Sequence, residues 1–452
     1  MGRIVKFSPV FIISLSFCFI SACSTFEDVT FDQQASNQLK DLAQTSIDVS
    51  NEPQAIALSE LLAIDEANAL IASAMANNPS LQQTLLTLKT AEQQLTVTSS
   101  SQWPSISAGL NANKAEASTA NYSASVDVAW TLDIWQQLAN ASSAEQANVA
   151  ASAYAYQGAK DLLAANVMQA YLGLVQTSQL IAIESARVSA YQTNEQVIVD
   201  RYRKGLLELN ELDTAKSSTQ SSQATLVDYQ AQYQQALRNI VLLTGVTENS
   251  LDYREVYPGV MMPLDKVSAQ SLGRRPDLQQ AYQNIIASQY QHKVAYKALL
   301  PSLSLTGSIT NSDANLHDAL FGSNAWQLLG QLSAPIFNAG KLTSEVEIAK
   351  FSAEKSYWNF QEKLLSAVNE VDNAVAQEQA VSKRLVLTES ALASAKRSEQ
   401  TYTSRYRQGT VSLIDLLQIQ QQTFSLQAQV TQLTYELLNN RITLGLALGL
   451  GV

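Results

Sequence analysis

The chain has 452 residues, of which 15% are charged and 46% hydrophobic, and its formal net charge is −11. This acidic balance excludes the nucleic-acid-binding proteins, which need a surplus of positive charge. After residue 22 no stretch of 18 apolar residues occurs, so the sequence predicts no membrane-spanning helix.

The first 22 residues have the features of a secretory signal. Arg3 and Lys6 precede an apolar run over residues 7–20, and the sequence Ile20-Ser21-Ala22-Cys23 follows. Small residues that end in a cysteine are typical of bacterial lipoproteins, so we expect Cys23 to be the lipidated first residue of the mature chain. The alternative is an ordinary signal with a chance cysteine. Ser24 follows Cys23, which favours the outer membrane as the destination.

Cysteine and histidine are scarce in the remaining sequence. Cys18 is removed with the signal, which leaves no partner for a disulfide in the mature chain. His292 and His317 have neither a nucleophile nor a metal-ligand spacing beside them, and glycine is too sparse for a phosphate-binding loop. We therefore predict no enzyme, no metal site and no cofactor other than the covalent lipid on Cys23.

Four segments alternate with a period of two, which is the repeat of a β-strand. Every second residue is apolar from Tyr122 to Ile134, and a weaker alternation follows Pro104. A corresponding pair of segments occurs in the second half of the chain. The predicted strands are residues 104–114, 122–135, 302–312 and 325–337.

The same alternation occurs in membrane strands and in half-buried strands of soluble sheets. We favour membrane strands, because all the remaining sequence is predicted to be helical and offers no second layer of strands. A strand of thirteen residues is also about 43 Å long, enough to cross a hydrocarbon core at a tilt. Four tryptophans lie at or near strand ends, where an aromatic girdle is expected: Trp103, Trp130, Trp135 and Trp326.

Four strands are too few to close a barrel, and open sheet edges are not tolerated in lipid. We therefore expect several chains to share one barrel. Two copies would give eight strands with a filled interior, and three would give twelve with room for an aqueous lumen. The pattern alone leaves both possibilities open.

Two very long helices are predicted from Gln137 to Arg203 and from Lys341 to Gln408. Neither segment contains proline, and Gly158 and Gly173 are their only glycines. Helices of that length reach about 100 Å, so we expect coiled coils or the staves of a helical barrel. In the first helix, apolar residues recur at spacings of three and four: Val167, Tyr171, Leu174, Ile181, Val188, Tyr191, Ile198 and Tyr202.

Each long helix ends at a glycine, and a second helix follows within a few residues, so two helical hairpins are predicted. The hairpins belong to an internal repeat. Asn77-Asn78-Pro79 recurs 197 residues later as Arg274-Arg275-Pro276, and Arg201-Tyr202-Arg203-Lys204-Gly205 recurs 204 residues later as Arg405-Tyr406-Arg407-Gln408-Gly409. Such duplication predicts a quasi-symmetric assembly.

The repeat and the prolines between its halves suggest five segments. They are a signal (1–22), a lipid-anchored linker or equatorial belt (23–60), a first repeat (61–245, with its hairpin at 137–245), an equatorial linker (246–272) and a second repeat (273–452, with its hairpin at 341–449).

Over residues 60–450 these features together resemble the outer membrane factor family of TolC-like channels, and more closely its lipoprotein branch with OprM and NodT. The most specific points are residues 273–278, residues 300–307 and the two hairpin tips. The resemblance implies a mostly α-helical homotrimer with a 12-stranded β-barrel, four strands per chain. This barrel would continue into a 12-helix periplasmic α-barrel.

The resemblance also implies roles for residues at the hairpin tips, where the closed entrance lies. By position Asp415 matches an acidic ring, although the second acidic position is Gln418 here; an acid at the start of a helix is the alternative reading. Tyr406 and Glu211 match positions that hydrogen-bond between hairpins, but the basic latch position is Val411, and simple packing is favoured for Tyr406. We expect an adaptor to contact the tips at Arg203, Lys204, Gly205, Arg407, Gln408 and Gly409.

The function implied is that of an outer-membrane channel, lipid-anchored and extending into the periplasm, in a tripartite efflux system. It would be a passive conduit for small molecules, and a periplasmic adaptor with an inner-membrane pump would supply the energy. Two alternatives are the channel of a type I protein secretion system and a lipid-anchored coiled-coil adhesin. The cargo, the adaptor and the pump are not defined by this chain.

Overall fold

The computed structural model describes residues 30–44, 58, 65–116, 118–245, 256–258 and 269–451. The predicted signal, Cys23 and most of the two predicted linkers lie outside these ranges. Within them, none of the helices combines the length and the apolar character that crossing a bilayer requires.

The elements follow one another in the order helices, strand pair, long hairpin, and this order occurs twice. They are α1 (Phe31–Gln44), α2 (Asp65–Asn77), α3 (Pro79–Ser100), β1 (Ser105–Asn113), β2 (Asn121–Leu132), α4 (Gln137–Arg203), α5 (Leu209–Thr244), a 3-10 turn (Ala269–Arg274), α6 (Pro276–Lys297), β3 (Ser302–Asp313), α7 (Leu316–Phe321), β4 (Ala325–Ser333), α8 (Lys341–Arg407) and α9 (Leu413–Ala447).

The chain divides into two compact units. The first comprises Met1–Gln34, Ser99–Ala144 and Ser288–Glu354, and it contains all four strands. The second comprises Ala35–Thr98, Glu145–Ala287 and Lys355–Val452, and it contains most of the residues of the long helices. Both sequence repeats contribute to each unit.

The first unit contains one antiparallel sheet with the strand order β1-β2-β3-β4. Its register puts side chains of like polarity in the same rows. Val126 lies opposite Ala108 and Ile309, whereas the next residue, Asp127, lies opposite Ser107 and Ser308. Because directly paired residues share a face, one face of the sheet is apolar and the other mainly polar.

The apolar face is open in the single chain. Ile106 is 73% exposed and Leu328 is 70% exposed. These two side chains lie in one row with Val128, since Val128 pairs with Ile106 and Gly307 pairs with Leu328. A contiguous exposed apolar face of this kind indicates contact with a membrane or with another protein.

Two strands end earlier than the sequence predicts, at Leu132 rather than 135 and at Ser333 rather than 337. After β2, the Asp133 carboxylate accepts hydrogen bonds from the amides of Leu138 and Ala139 at 3.0 and 2.8 Å, which starts α4. Gln136 has a φ of 61°, which is incompatible with an extended strand. After β4, Pro335 lacks the amide hydrogen that a ladder requires.

Three of the four tryptophans lie at one end of the sheet. Trp130 donates its indole N–H to the Gln102 carbonyl at 3.0 Å, and Trp135 donates to the Pro301 carbonyl at 2.7 Å, both at the end where β2 runs into α4. Trp103 precedes β1 at this same end and is 74% exposed. Trp326 is the second residue of β4 and pairs with Ile309, in the row that contains Val126. Their role as a girdle stays a prediction.

The second unit has its core where the middle of α4 packs against α5 and α9. Tyr171, Leu172 and Leu174 are at most 1% exposed and cluster with Ile240 of α5 and Ile442 of α9. Of the residues spaced by three and four on α4, Val167, Tyr171 and Leu174 lie in this core and Ile181 is half-buried. Val188, Tyr191 and Ile198 are buried farther along the helix. The spacing therefore marked the face of α4 that its own chain buries.

The repeat is also visible in hydrogen bonds near the ends of α5 and α9. The Asn78 side chain donates to the Leu243 carbonyl at 3.0 Å, and 197 residues later the Arg275 guanidinium donates to the Ala447 carbonyl at 2.8 Å. Leu243 and Ala447 are themselves 204 residues apart. Each repeat thus joins the start of a helix, α3 or α6, to the last turn of the second helix of its hairpin, α5 or α9.

The second of these joints is ionic. Arg275 is 8% exposed and makes two hydrogen bonds to the Asp277 carboxylate, at 3.0 and 2.9 Å, and an ion pair with Glu370 at 2.8 Å. Asn78 at the equivalent position is neutral, and its side-chain oxygen accepts hydrogen bonds from the amides of Ser80 and Leu81. The two joints have the same geometry and different chemistry.

The ionic joint predicts that the stability of the fold depends on pH in the acidic range. Burial raises the pKa of Asp277, but the hydrogen bonds and the charge of Arg275 outweigh that effect, and the net pKa lies below the ordinary value. The carboxylate therefore stabilises the fold above its unfolded pKa of about 3.9, and the contribution is lost as the pH falls through the lower folded pKa. We expect the difference in melting temperature between the wild type and Asp277→Asn to be constant near neutral pH and to shrink in acid. A difference that grows on acidification would contradict this prediction.

Candidate functional site

The tips of the two hairpins are built in the same way. Gly205 after α4 has a φ of 70°, and Gly409 after α8 has a φ of 72°. In both tips the glycine amide and the next amide bond back to carbonyls of the last helical turn, at 2.8 and 3.0 Å in the first and at 3.0 Å for both in the second. This is the Schellman arrangement, which requires a left-handed residue and therefore favours glycine. A side chain at either position would meet no atom within 4 Å, so the backbone conformation alone explains the glycine.

The second helix of each hairpin begins with an acid in its first turn. The Glu208 amide donates to the Glu211 carboxylate at 3.2 Å. In the other tip the Ser412 amide donates to the Asp415 carboxylate at 3.1 Å, and the Asp415 amide donates to the Ser412 hydroxyl oxygen at 3.2 Å. The second tip is a complete capping box, which satisfies amides that have no partner in the helix.

A small apolar cluster holds the two tips together within one chain. Its buried members come from α4, α5 and α9, and α8 adds two partly buried tyrosines. The buried members are Tyr191, Ile198, Leu212, Ala215, Leu413, Leu416 and Leu417, with Val199, Leu207, Tyr402 and Tyr406 packed around them. The tips are therefore packed structures rather than loose loops.

One charged contact covers this cluster. The Arg201 guanidinium carbon lies 5.3 Å from the centre of the Tyr406 ring, within the range of a cation–π interaction. The Tyr406 hydroxyl is buried and has no hydrogen-bond partner among the described residues. Tyr406 thus contributes its ring to the contact between the α4 and α8 ends.

The gate residues predicted from the sequence all lie at these tips, on the second hairpin helices and the α8 end. Asp415 and Gln418 are exposed, while Glu211 bonds to the backbone of its own tip. Among the residues that the structure describes, Tyr406 and Glu211 make no hydrogen bond between hairpins. The gate roles stay predictions. Within the single chain Asp415 caps its own helix, which is the alternative role, and the contacts between chains that a gate would use lie outside one chain.

The six residues predicted to contact an adaptor are all exposed at the ends of α4 and α8: Arg203, Lys204, Gly205, Arg407, Gln408 and Gly409. Arg203 forms an ion pair with Asp200 at 3.9 Å between two largely exposed side chains. These positions are accessible to another protein.

Sequence reasoning missed a buried polar group between the tips and the core. Glu184 of α4 is 2% exposed, accepts a hydrogen bond from the Ser222 hydroxyl of α5 and pairs with Arg187 at 3.3 Å. Arg187 also lies 5.7 Å from the centre of the Phe424 ring of α9. Glu184 lies three residues after Ile181 and four before Val188, so the spacing already puts it on the apolar face of α4, and this signal could have identified it.

The arrangement offers packing, capping and accessible charge. No cluster of His, Cys, Asp and Glu side chains suited to a metal occurs in the described ranges. The described side chains at the tips are suited to contact with other protein surfaces.

The model of a family described as outer membrane efflux protein matches residues 70–246 and 267–450. The probable outer membrane lipoprotein SilC of Salmonella typhimurium is 28% identical over 402 residues, which covers 84% of this chain and 85% of that protein. The cation efflux system protein CusC of Escherichia coli K12 is 26% identical over 401 residues, 86% of this chain and 87% of that protein. The crystal structure of the Campylobacter jejuni CmeC outer membrane channel matches with a TM-score of 0.82 at 20% identity, over 89% of this chain and 90% of that one.

Proposed function

Because the chain belongs to the outer membrane efflux protein family, we propose that three copies of it form one passive conduit from the periplasm to the outside. The protein is an outer-membrane efflux channel, and its family is one of conduits rather than of enzymes. This membership favours the conduit over the coiled-coil adhesin. The number of copies, the anchor, the partners and the cargo are our proposals.

The unpaired edges of the sheet are the observation that supports the trimer. β1 and β4 each have one edge without a partner among the described strands, and β4 runs antiparallel to β1. The β4 edge of one copy can therefore pair with the β1 edge of the next and continue the antiparallel ladder. Three copies give twelve strands, enough for an aqueous lumen, and the register then puts the polar face inside and the apolar face towards lipid.

The hairpin tips are the proposed site of docking for a periplasmic adaptor and, through it, an inner-membrane pump. Three copies would present six tips that share one backbone design, each with its exposed residues at the end of α4 or α8. The conduit holds no energy source of its own, so export of small molecules would depend on that pump. We also propose that Cys23 carries the covalent lipid; incorporation of radiolabelled palmitate that persists in Cys23→Ser would contradict this.

The test of the conduit is the ionic conductance of the purified full-length protein in planar bilayers. We expect discrete channels from a species whose native mass is that of three chains. A monomer without conductance would overturn the proposal. Conductance from a trimer would also exclude a purely structural role.

Asp415 is expected to restrict the entrance in this assembly, since three inward carboxylates would repel one another and attract cations. Asp415→Ala should raise the single-channel conductance and reduce the preference for cations. Asp415→Asn separates the two roles, because the amide oxygen can still accept from the Ser412 amide while the charge is lost. If only Asp415→Ala changes conductance, the capping box is the cause; if neither variant does, the ring is wrong.

A further inference from the structure

The 204-residue repeat relates three residues of one tip to three of the other. Arg201, Tyr202 and Leu209 of the first tip correspond to Arg405, Tyr406 and Leu413 of the second. The glycine turns have φ values that differ by two degrees, so the equivalent side chains leave equivalent backbones.

Within one chain, however, only one of the two possible contacts is formed. Arg201 covers the ring of Tyr406, and the neighbouring Leu413 is only 8% exposed. The corresponding surface on the first tip is open, with Tyr202 39% exposed and Leu209 55% exposed.

The other half of the unused contact is open as well. Arg405 is exposed in the last turn of α8, where the helix dipole favours a cation. It has the charge and the position that Arg201 has in the first tip. The chain therefore has an open aromatic and apolar surface on its first hairpin, at Tyr202 and Leu209, and an exposed guanidinium on its second, at Arg405.

We propose that a second copy of the chain completes this contact, with Arg405 of one copy over the Tyr202 ring of the next and Leu209 buried beneath it. In a ring of copies, first and second hairpins alternate. The second hairpin of one copy then lies beside the first hairpin of the next copy, as the first and second hairpins lie side by side within one chain. A head-to-tail interface of this kind closes into a ring when the rotation allows it. The guanidinium suits the face of tyrosine. The inference rests on the proposed trimer and assigns residues to its entrance.

The test is cysteine cross-linking of the full-length protein in membranes with a short bismaleimide. Tyr202→Cys combined with Arg405→Cys is expected to give a ladder of linked dimers and trimers on denaturing gels. Arg201→Cys with Tyr406→Cys is the positive control, since it should link within one chain and give no ladder. Tyr202→Cys with Arg407→Cys is the matched negative control, because Arg407 is exposed on the same helix but lies two residues on, about 200° around its axis.

Native mass spectrometry of the same samples separates the possible failures. A trimer that links the positive control but gives no ladder for Tyr202 and Arg405 would overturn the inference and leave the conduit standing. A monomer would overturn both. If the double variant does not fold, benzoyl-phenylalanine at position 202 provides the same test in an aromatic background. Its photoproduct should contain the neighbouring copy's peptide with Arg405, and a product elsewhere would refute the contact.

Discussion

Val126→Arg is expected to prevent the protein from assembling in the outer membrane. Val126 lies in the middle of β2, a strand paired on both sides, and its side chain belongs to the exposed apolar face. An arginine that faces lipid near the midplane costs about 2–4 kcal/mol per chain, and each trimer would contain three. The measurement is the fraction of protein that folds into lipid vesicles from urea, together with the yield of trimer in outer-membrane preparations.

The adjacent position provides the control. Ser125 lies on the polar face, where its hydroxyl donates to the Asp127 carboxylate at 2.9 Å. Ser125→Arg adds the same side chain at the same depth, beside an acid and towards the proposed lumen, so assembly should be retained. Equal loss in both variants would show that the two faces do not differ in environment, and the membrane sheet would have to be abandoned.

Arg275→Ala is expected to destabilise the helical unit by about 3 kcal/mol. Truncation of one partner of a buried ion pair costs about 3–5 kcal/mol, and the lower end applies because the Asp277 and Glu370 side chains keep 39% and 49% exposure and can be rehydrated. The Ala447 carbonyl also loses its donor. The fall in melting temperature of the purified protein measures the effect.

The chain itself offers two comparisons for this variant. Arg274→Ala removes an exposed arginine from the preceding position and should change stability by less than about 0.5 kcal/mol. Arg275→Asn copies the first repeat, where Asn78 makes the equivalent bond to a carbonyl, and should recover part of the loss. If Arg275→Ala melts like Arg274→Ala, the buried ionic joint is not a source of stability.

The strands and long helices were predictable because their signals are local. Alternation over β2 and the lack of proline across α4 and α8 each follow from one segment of sequence. The strand ends were less predictable, since the turn at Gln136 and the capping by Asp133 depend on how the chain enters the next helix. The sequence motif with Arg275 stood out, but its role as a buried ionic joint could not be deduced, because the partner Glu370 is almost a hundred residues away.

At the candidate site the sequence located the tips but not their contacts. Glycine positions and helix lengths placed Gly205 and Gly409 where the turns occur. The stacking of Arg201 on Tyr406 joins residues far apart in sequence, and only the distance in space reveals it. Comparison of exposure between the two repeats, rather than either repeat alone, shows which contact is left open.

The unequal joints at Asn78 and Arg275 have a further consequence for how the assembly would respond to its surroundings. High ionic strength screens partly exposed ion pairs but leaves a neutral amide bond to a carbonyl unaffected. Salt should therefore quicken amide exchange in the last turn of α9 and not in the last turn of α5. In the proposed helical barrel, high salt would loosen the last turn of α9 in each chain and leave that of α5 unchanged, so ionic strength would act on every second hairpin.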